Sequence, residues 1–169
     1  MARDLSGVPT IVYMRLVLPV TLAAALLLAA CGRSGEEDTP VGCLQGAEPF
    51  VAALSDAPGL VQLDDGTGIS ECLVDNQPAA DLNTVGQAMV GAATELNAAA
   101  QGVPEGTESL QLGYLMGAAN RGASDTSGIH ADLLRRLNSA ANFTESGMPL
   151  PAAFERQYGR GYAAGRRDG

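Results

Sequence analysis

Fifteen uncharged residues, LVLPVTLAAALLLAA from Leu16 to Ala30, decide how much of this chain can fold as a body in water. Thr21 is the one polar residue in the run, Met14-Arg15 precede it, and the polar stretch Gly32-Arg33-Ser34-Gly35-Glu36-Glu37-Asp38 ends it. A basic start, an apolar middle and small residues at the end make the layout of a secretion leader. A helix that stays in the bilayer needs about 20 apolar residues to cross roughly 30 Å of hydrocarbon. Arg15 interrupts the run before that length is reached. Residues 1–30 are therefore read as a cleaved leader, with translation starting at Met1 or Met14, and a retained transmembrane helix is the competing reading.

The leader closes on Leu28-Ala29-Ala30-Cys31. This tetrad resembles the lipobox of bacterial lipoproteins: a leucine, two small residues, and the cysteine that becomes the first residue of the mature chain. The resemblance covers about the first 32 residues and carries no information on the fold of the rest. It implies that the Cys31 thiol receives a diacylglyceryl group, that the new amino end is often acylated too, and that the leader is cut before Cys31. Small side chains admit an extended backbone to a narrow peptidase cleft, and a thiol is a strong nucleophile for taking up lipid. Two or three acyl chains, at about 0.8 kcal/mol per buried CH₂, hold a domain on a membrane far longer than one chain does. The implied partner is membrane lipid, reached through Cys31. The implied location is the cell membrane or outer membrane, with the domain on the extracytoplasmic side; Gly32 follows the cysteine and leaves the choice of membrane open.

Beyond residue 30 the chain carries eight arginines, no lysine and eighteen carboxylates, a net charge of −10. Thirteen of those acids lie between Glu36 and Glu108, where there is no Lys or Arg; seven of the arginines follow from Arg121 onward, against five acids. Such a surface repels nucleic-acid phosphates, so nucleic acid is not expected as a partner. Residues 31–40 read as a polar tether and residues 41–169 as a single domain, long enough to bury a core. Cys43 and Cys72 remain as an even pair in an oxidising compartment and are expected to form a disulfide.

The expected fold is mainly α: a bundle of three or four helices with one short β-hairpin. Ala47 to Leu54 suggests a short helix with Pro49 in its first turn. Val61-Gln62-Leu63 alternates, Asp64-Asp65-Gly66-Thr67-Gly68 turns, and Ile69 to Val74 alternates again, which predicts the hairpin. From Ala79 the period becomes helical through Leu82, Val85, Met89 and Leu96, with Asn76 or Asp81 as a cap and Gly86 and Gly91 marking close approach of another backbone. A second helix runs from about Glu108 to Arg121 with Gly113 and Gly117 one turn apart, a third ends near Phe143, and a fourth carries Phe154, Tyr158, Tyr162 and Gly165 on one side. The Gly113/Gly117 and Gly161/Gly165 spacings predict close helix packing within the bundle.

No catalytic, cofactor-binding or metal-binding set stands out. The one histidine, His130, has neither a GxSxG nor an HExxH context and is expected to be exposed or capping. The acids of Asp64–Glu71 lack the spacing of a calcium loop. The role expected is that of a membrane-anchored envelope component that binds or scaffolds, possible docking residues being Tyr158, Arg160, Tyr162, Arg166 and Arg167 against an envelope protein or against the chain's own acidic half. The alternative is a small extracytoplasmic hydrolase with acidic active-site residues.

Overall fold

The computed structural model describes residues 37–126, 128–143 and 149–169. The chain divides into two units, Met1–Gly35 and Glu36–Gly169, and the fold given below is that of the second. The leader, Cys31 and most of the tether lie outside the described residues.

Among the described residues there are five α-helices: α1 (Ala47–Ala53), α2 (Ala79–Gly102), α3 (Thr107–Ser124), α4 (Ala131–Ala140) and α5 (Ala152–Asp168). Single 3-10 turns cover Val41–Leu44, Leu54–Asp56 and Ile69–Cys72. Pro49 sits in the first turn of α1, where its missing N–H would have had no intrahelical partner. The buried face of α2 is the predicted one, Val85, Met89, Ala92, Ala93, Leu96 and Ala100. Neither Asn76 nor Asp81 caps it: Pro78 occupies the cap position, and Asn76 takes the left-handed turn before it at φ 51°. Gly86 and Gly91 face side chains rather than a backbone. A β-carbon at Gly86 would lie 3.4 Å from Leu133 Cδ1, and one at Gly91 3.0 Å from Ala47 Cβ.

The β-hairpin does not form, and no strand exists among the described residues. Val61 and Leu63 do turn inward while Gln62 turns out, but pairing stops at one isolated antiparallel bridge, Gln62 to Gly68. Two carboxylates take amides that a second strand would have offered to a ladder. Asp65 accepts the Thr67 N–H at 3.0 Å and Glu71 accepts the Gly68 N–H at 2.7 Å. Local side-chain acceptors of this kind compete directly with sheet pairing. Ile69–Cys72 then winds into a 3-10 turn that buries Ile69, Ser70 and Cys72.

The predicted disulfide is present, joining Cys43 to Cys72 with Cα atoms 5.5 Å apart, both residues fully buried. Asp65 reinforces the same junction by accepting the Gly42 N–H at 2.7 Å. The Thr67 side chain, followed by the Gly42 amide, holds the Asp65 carboxyl below its ordinary value. A carboxyl depressed on folding contributes stability that is present above its unfolded value near 3.8 and is lost as pH falls further. Asp65→Asn is accordingly expected to flatten the acid limb of the unfolding curve below about pH 4, read by circular dichroism against pH.

α3 is the central helix, buried continuously from Leu112 to Ala119. α5 lies parallel to it at very short range, because each helix offers glycines to the other's backbone. Gly113 faces Tyr158 and Gly117 faces Tyr162 and Arg166, while Gly161 faces Leu110 and Tyr114 and Gly165 faces Tyr114 and Ala118. The predicted close packing is thus within the molecule, in the parallel small-xxx-small arrangement familiar from membrane helices. α4 runs alongside α2, with Asn97 Nδ2 donating to the carbonyls of Ala140 (3.1 Å) and Asn142 (2.9 Å).

Candidate functional site

The connections place four segments at one end of the bundle: the entry to α2, the exit of α3, the start of α4 and the stretch Glu37–Pro40 that leads in from the tether. An open groove of about 400 Å³ lies there, bordered by Glu37, Glu71, Asp75, Asp125, Arg121 and Thr126 among others. Among the described residues no three His, Cys, Asp or Glu side chains converge in a way that could hold a metal ion.

Behind the groove runs a buried polar chain that the sequence reading missed. His130 is fully buried at the N-cap position of α4, not exposed, and its side chain caps nothing. Its Nδ1 lies 2.8 Å from Thr126 Oγ1 and its Nε2 3.0 Å from Gln77 Oε1. Gln77 Nε2 donates to the Cys72 carbonyl and to Thr39 Oγ1, each at 3.0 Å. Those two donations fix the amide's orientation, so Gln77 Oε1 can only accept, and the neutral imidazole carries its hydrogen on Nε2. Nδ1 faces the Thr126 hydroxyl, whose single hydrogen serves either Nδ1 or the Ala123 carbonyl at 3.0 Å. Burial lowers the affinity of His130 for a proton, and the negative charge of Asp75 opposes that effect.

This arrangement is poorly suited to proton shuttling. A histidine base in acyl transfer leans on a buried carboxylate that stabilises the imidazolium, and here the partner is a neutral amide. Both ring nitrogens are already committed inside the core. What the chain of bonds does is tie Thr39, Cys72, the end of α3 and the start of α4 to one another.

The five predicted docking residues all lie on α5 but not on one face. At about 100° per residue, Arg160 and Arg167 fall far around the helix from Tyr158 and Tyr162. The tyrosines are half-buried and continue a ring ladder: Phe143 to Phe154 at 4.0 Å between centroids, Phe154 to Tyr158 at 5.4 Å, Tyr158 to Tyr162 at 6.2 Å. Burial, aided by Tyr162, pushes the Tyr158 hydroxyl up to about 12. Arg160 is exposed and donates to Gln157 Oε1 at 3.2 Å, Arg166 to Ser124 Oγ at 3.2 Å, and Arg167 pairs with Asp168 at 2.6 Å. Among the described residues the ion pairs are Arg167–Asp168 and Arg135–Asp132. Neither reaches the acidic segment Glu36–Glu108, so no ion pair described here carries out the expected neutralisation of the α5 arginines by that half. The outer side of α5 instead presents Arg156, Arg160 and Arg167 to solvent.

No described helix is long and apolar enough to cross a membrane. No family model, curated protein or solved structure matches this chain.

Proposed function

We propose that this chain is a bacterial lipoprotein, acylated at Cys31, whose helical domain acts on the extracytoplasmic side of a membrane as a binding or scaffolding component. The observation that carries the reading is Leu28-Ala29-Ala30-Cys31 standing where the apolar leader ends. The buried Cys43–Cys72 disulfide supports an oxidising destination, since such bonds persist mainly outside the cytoplasm. The commitment of both His130 nitrogens inside the core supports a binding role over a histidine-driven hydrolytic one. The solvent-facing arginines of α5, Arg156, Arg160 and Arg167, are the side offered to an acidic envelope partner.

The test is metabolic labelling of the full chain with an alkyne-bearing fatty acid in a bacterial host, followed by mass analysis of the first peptide. Label retained on a chain that begins at Cys31 is the expected result, and Cys31→Ala is expected to abolish both label and cleavage. A purified protein that keeps residues 1–30 and takes up no acyl chain overturns the reading.

A further inference from the structure

The bundle carries opposite charge on two of its flanks. α5 packs on α3 and α1 packs on α2, so these two helices face solvent at different places. On α5, Arg156, Arg160, Ala163 and Arg167 are all exposed, and at about 100° per residue they fall within about 60° of one another. On α1 and the 3-10 turn that follows it, Leu54–Asp56, the exposed residues are Glu48, Ala52, Ser55 and Asp56. Each stripe is charged at its ends and small in between. Helical rise sets Arg160 and Arg167 about 10.5 Å apart along the axis and Glu48 and Asp56 about 12 Å apart, a difference that the long arginine stems take up. Among the described residues, Arg156, Arg160, Glu48 and Asp56 are in no ion pair, and Arg167 pairs with its neighbour Asp168.

We propose that the two stripes are the halves of one contact, the α5 stripe of one copy of this chain docking on the α1 stripe of a second copy. This names the partner of the arginine side in the binding and scaffolding reading above, and rests on that reading for its setting on a membrane. The complement is carried by the chain itself: residues 36–108 hold thirteen carboxylates and no Lys or Arg, so the α1 side has no nearby cation to neutralise it. Small residues at the middle of both stripes let two helix axes approach to about 8–10 Å. The guanidiniums then reach past them to the carboxylates, in the charge-assisted geometry that arginine forms best.

The two surfaces differ, so the contact is heterologous. Each copy gives its α5 stripe to one neighbour and its α1 stripe to another, which builds a row or a ring of copies rather than a closed pair. The net charge of −10 beyond residue 30 opposes approach from a distance, but at physiological salt it is screened beyond about 8 Å. Copies held in one membrane plane also meet at a high effective concentration. A contact too weak to persist in dilute solution is sufficient there.

The test uses the full chain with a benzophenone-bearing residue in place of Ala163. It is mixed with heavy-isotope-labelled full chain, reconstituted into vesicles of phosphatidylcholine and phosphatidylglycerol, and illuminated. The expected product joins a light copy to a labelled one at the peptide that contains Ala52. Reversing the α5 stripe of the photoreactive copy (Arg160→Glu with Arg167→Glu) is expected to cut that mixed product about tenfold or more. Reversing the α1 stripe of the labelled copy (Glu48→Arg with Asp56→Arg) is expected to do the same. Combining the two reversed copies is expected to restore the product, which a variant that merely misfolds cannot do. Attachment to phosphatidylglycerol, to α5 of another copy, or within a single copy overturns the proposal, as does the absence of mixed product or a reversed pair that joins no better than either alone. Acylation is read separately, from the mass of the first peptide. Acylated chains that do not join sink the contact and leave the lipoprotein reading standing, whereas joined chains that keep residues 1–30 and carry no acyl chain do the opposite.

Discussion

Gly161→Ala is expected to destabilise the domain by about 2 kcal/mol or more, whereas Gly159→Ala, two residues earlier in the same helix, is expected to stabilise it by about 0.5–1 kcal/mol. The two substitutions add the same methyl group to the same helix and gain the same helix propensity, up to about 1 kcal/mol. They differ in what the methyl group meets. At Gly159 nothing lies within 4 Å. At Gly161 a β-carbon would sit 2.8 Å from both the Leu110 carbonyl carbon and the Tyr114 nitrogen. Those are backbone atoms in the middle of α3, so relief requires moving one whole helix off the other. Overpacking against an element that cannot yield costs about 1–3 kcal/mol and sometimes more, which outweighs the propensity gain. Gly113→Ala is expected to behave like Gly161→Ala, and the double variant to lose less than the sum, because the second methyl enters a gap that the first has opened. Chemical denaturation of the unsubstituted protein and the four variants checks all of this, and equal effects at positions 159 and 161 would refute it.

The glycine spacing was legible because it is a periodic signal on helices that are themselves periodic, and Val85, Met89 and Leu96 on α2 were legible for the same reason. The disulfide followed from counting cysteines. The hairpin was misread because alternation in Val61-Gln62-Leu63 reports which side chains are buried, not what the backbone amides bond to. Asp65 and Glu71 decided that, each through a carboxylate acting on a residue two or three positions away. The candidate site was the least legible part. Thr39, Gln77, Thr126 and His130 are ordinary polar residues scattered over about ninety positions, and only their meeting in space gives them meaning. The α5 residues show the complementary limit: Tyr158, Arg160, Tyr162, Arg166 and Arg167 form a cluster in the sequence, yet helical rotation separates them into an inward ring ladder and an outward row of charge.

Removing the disulfide as Cys43→Ala with Cys72→Ala is expected to cost roughly 3–4 kcal/mol. The two cysteines stand 29 residues apart, and the loop-entropy estimate for closing a ring of that size in the unfolded chain gives this figure. Against a usual net stability of about 5–15 kcal/mol, the loss is large enough to be read as a clear fall in the denaturation midpoint. Because the effect acts on the unfolded state, the freed chain exposes more surface on unfolding, and the denaturant slope should rise while the midpoint falls. The paired serine variant is expected to be less stable than the paired alanine one. Both sulfur positions are fully buried, and a hydroxyl left there without a partner costs about 1–3 kcal/mol more. Loss should also be felt at the tether end, since Cys72 supplies the carbonyl that orients Gln77. Urea titrations of the oxidised protein, the reduced protein and the two double variants test the ranking. Serine and alanine variants of equal stability would show that these positions open to water once the bond is gone.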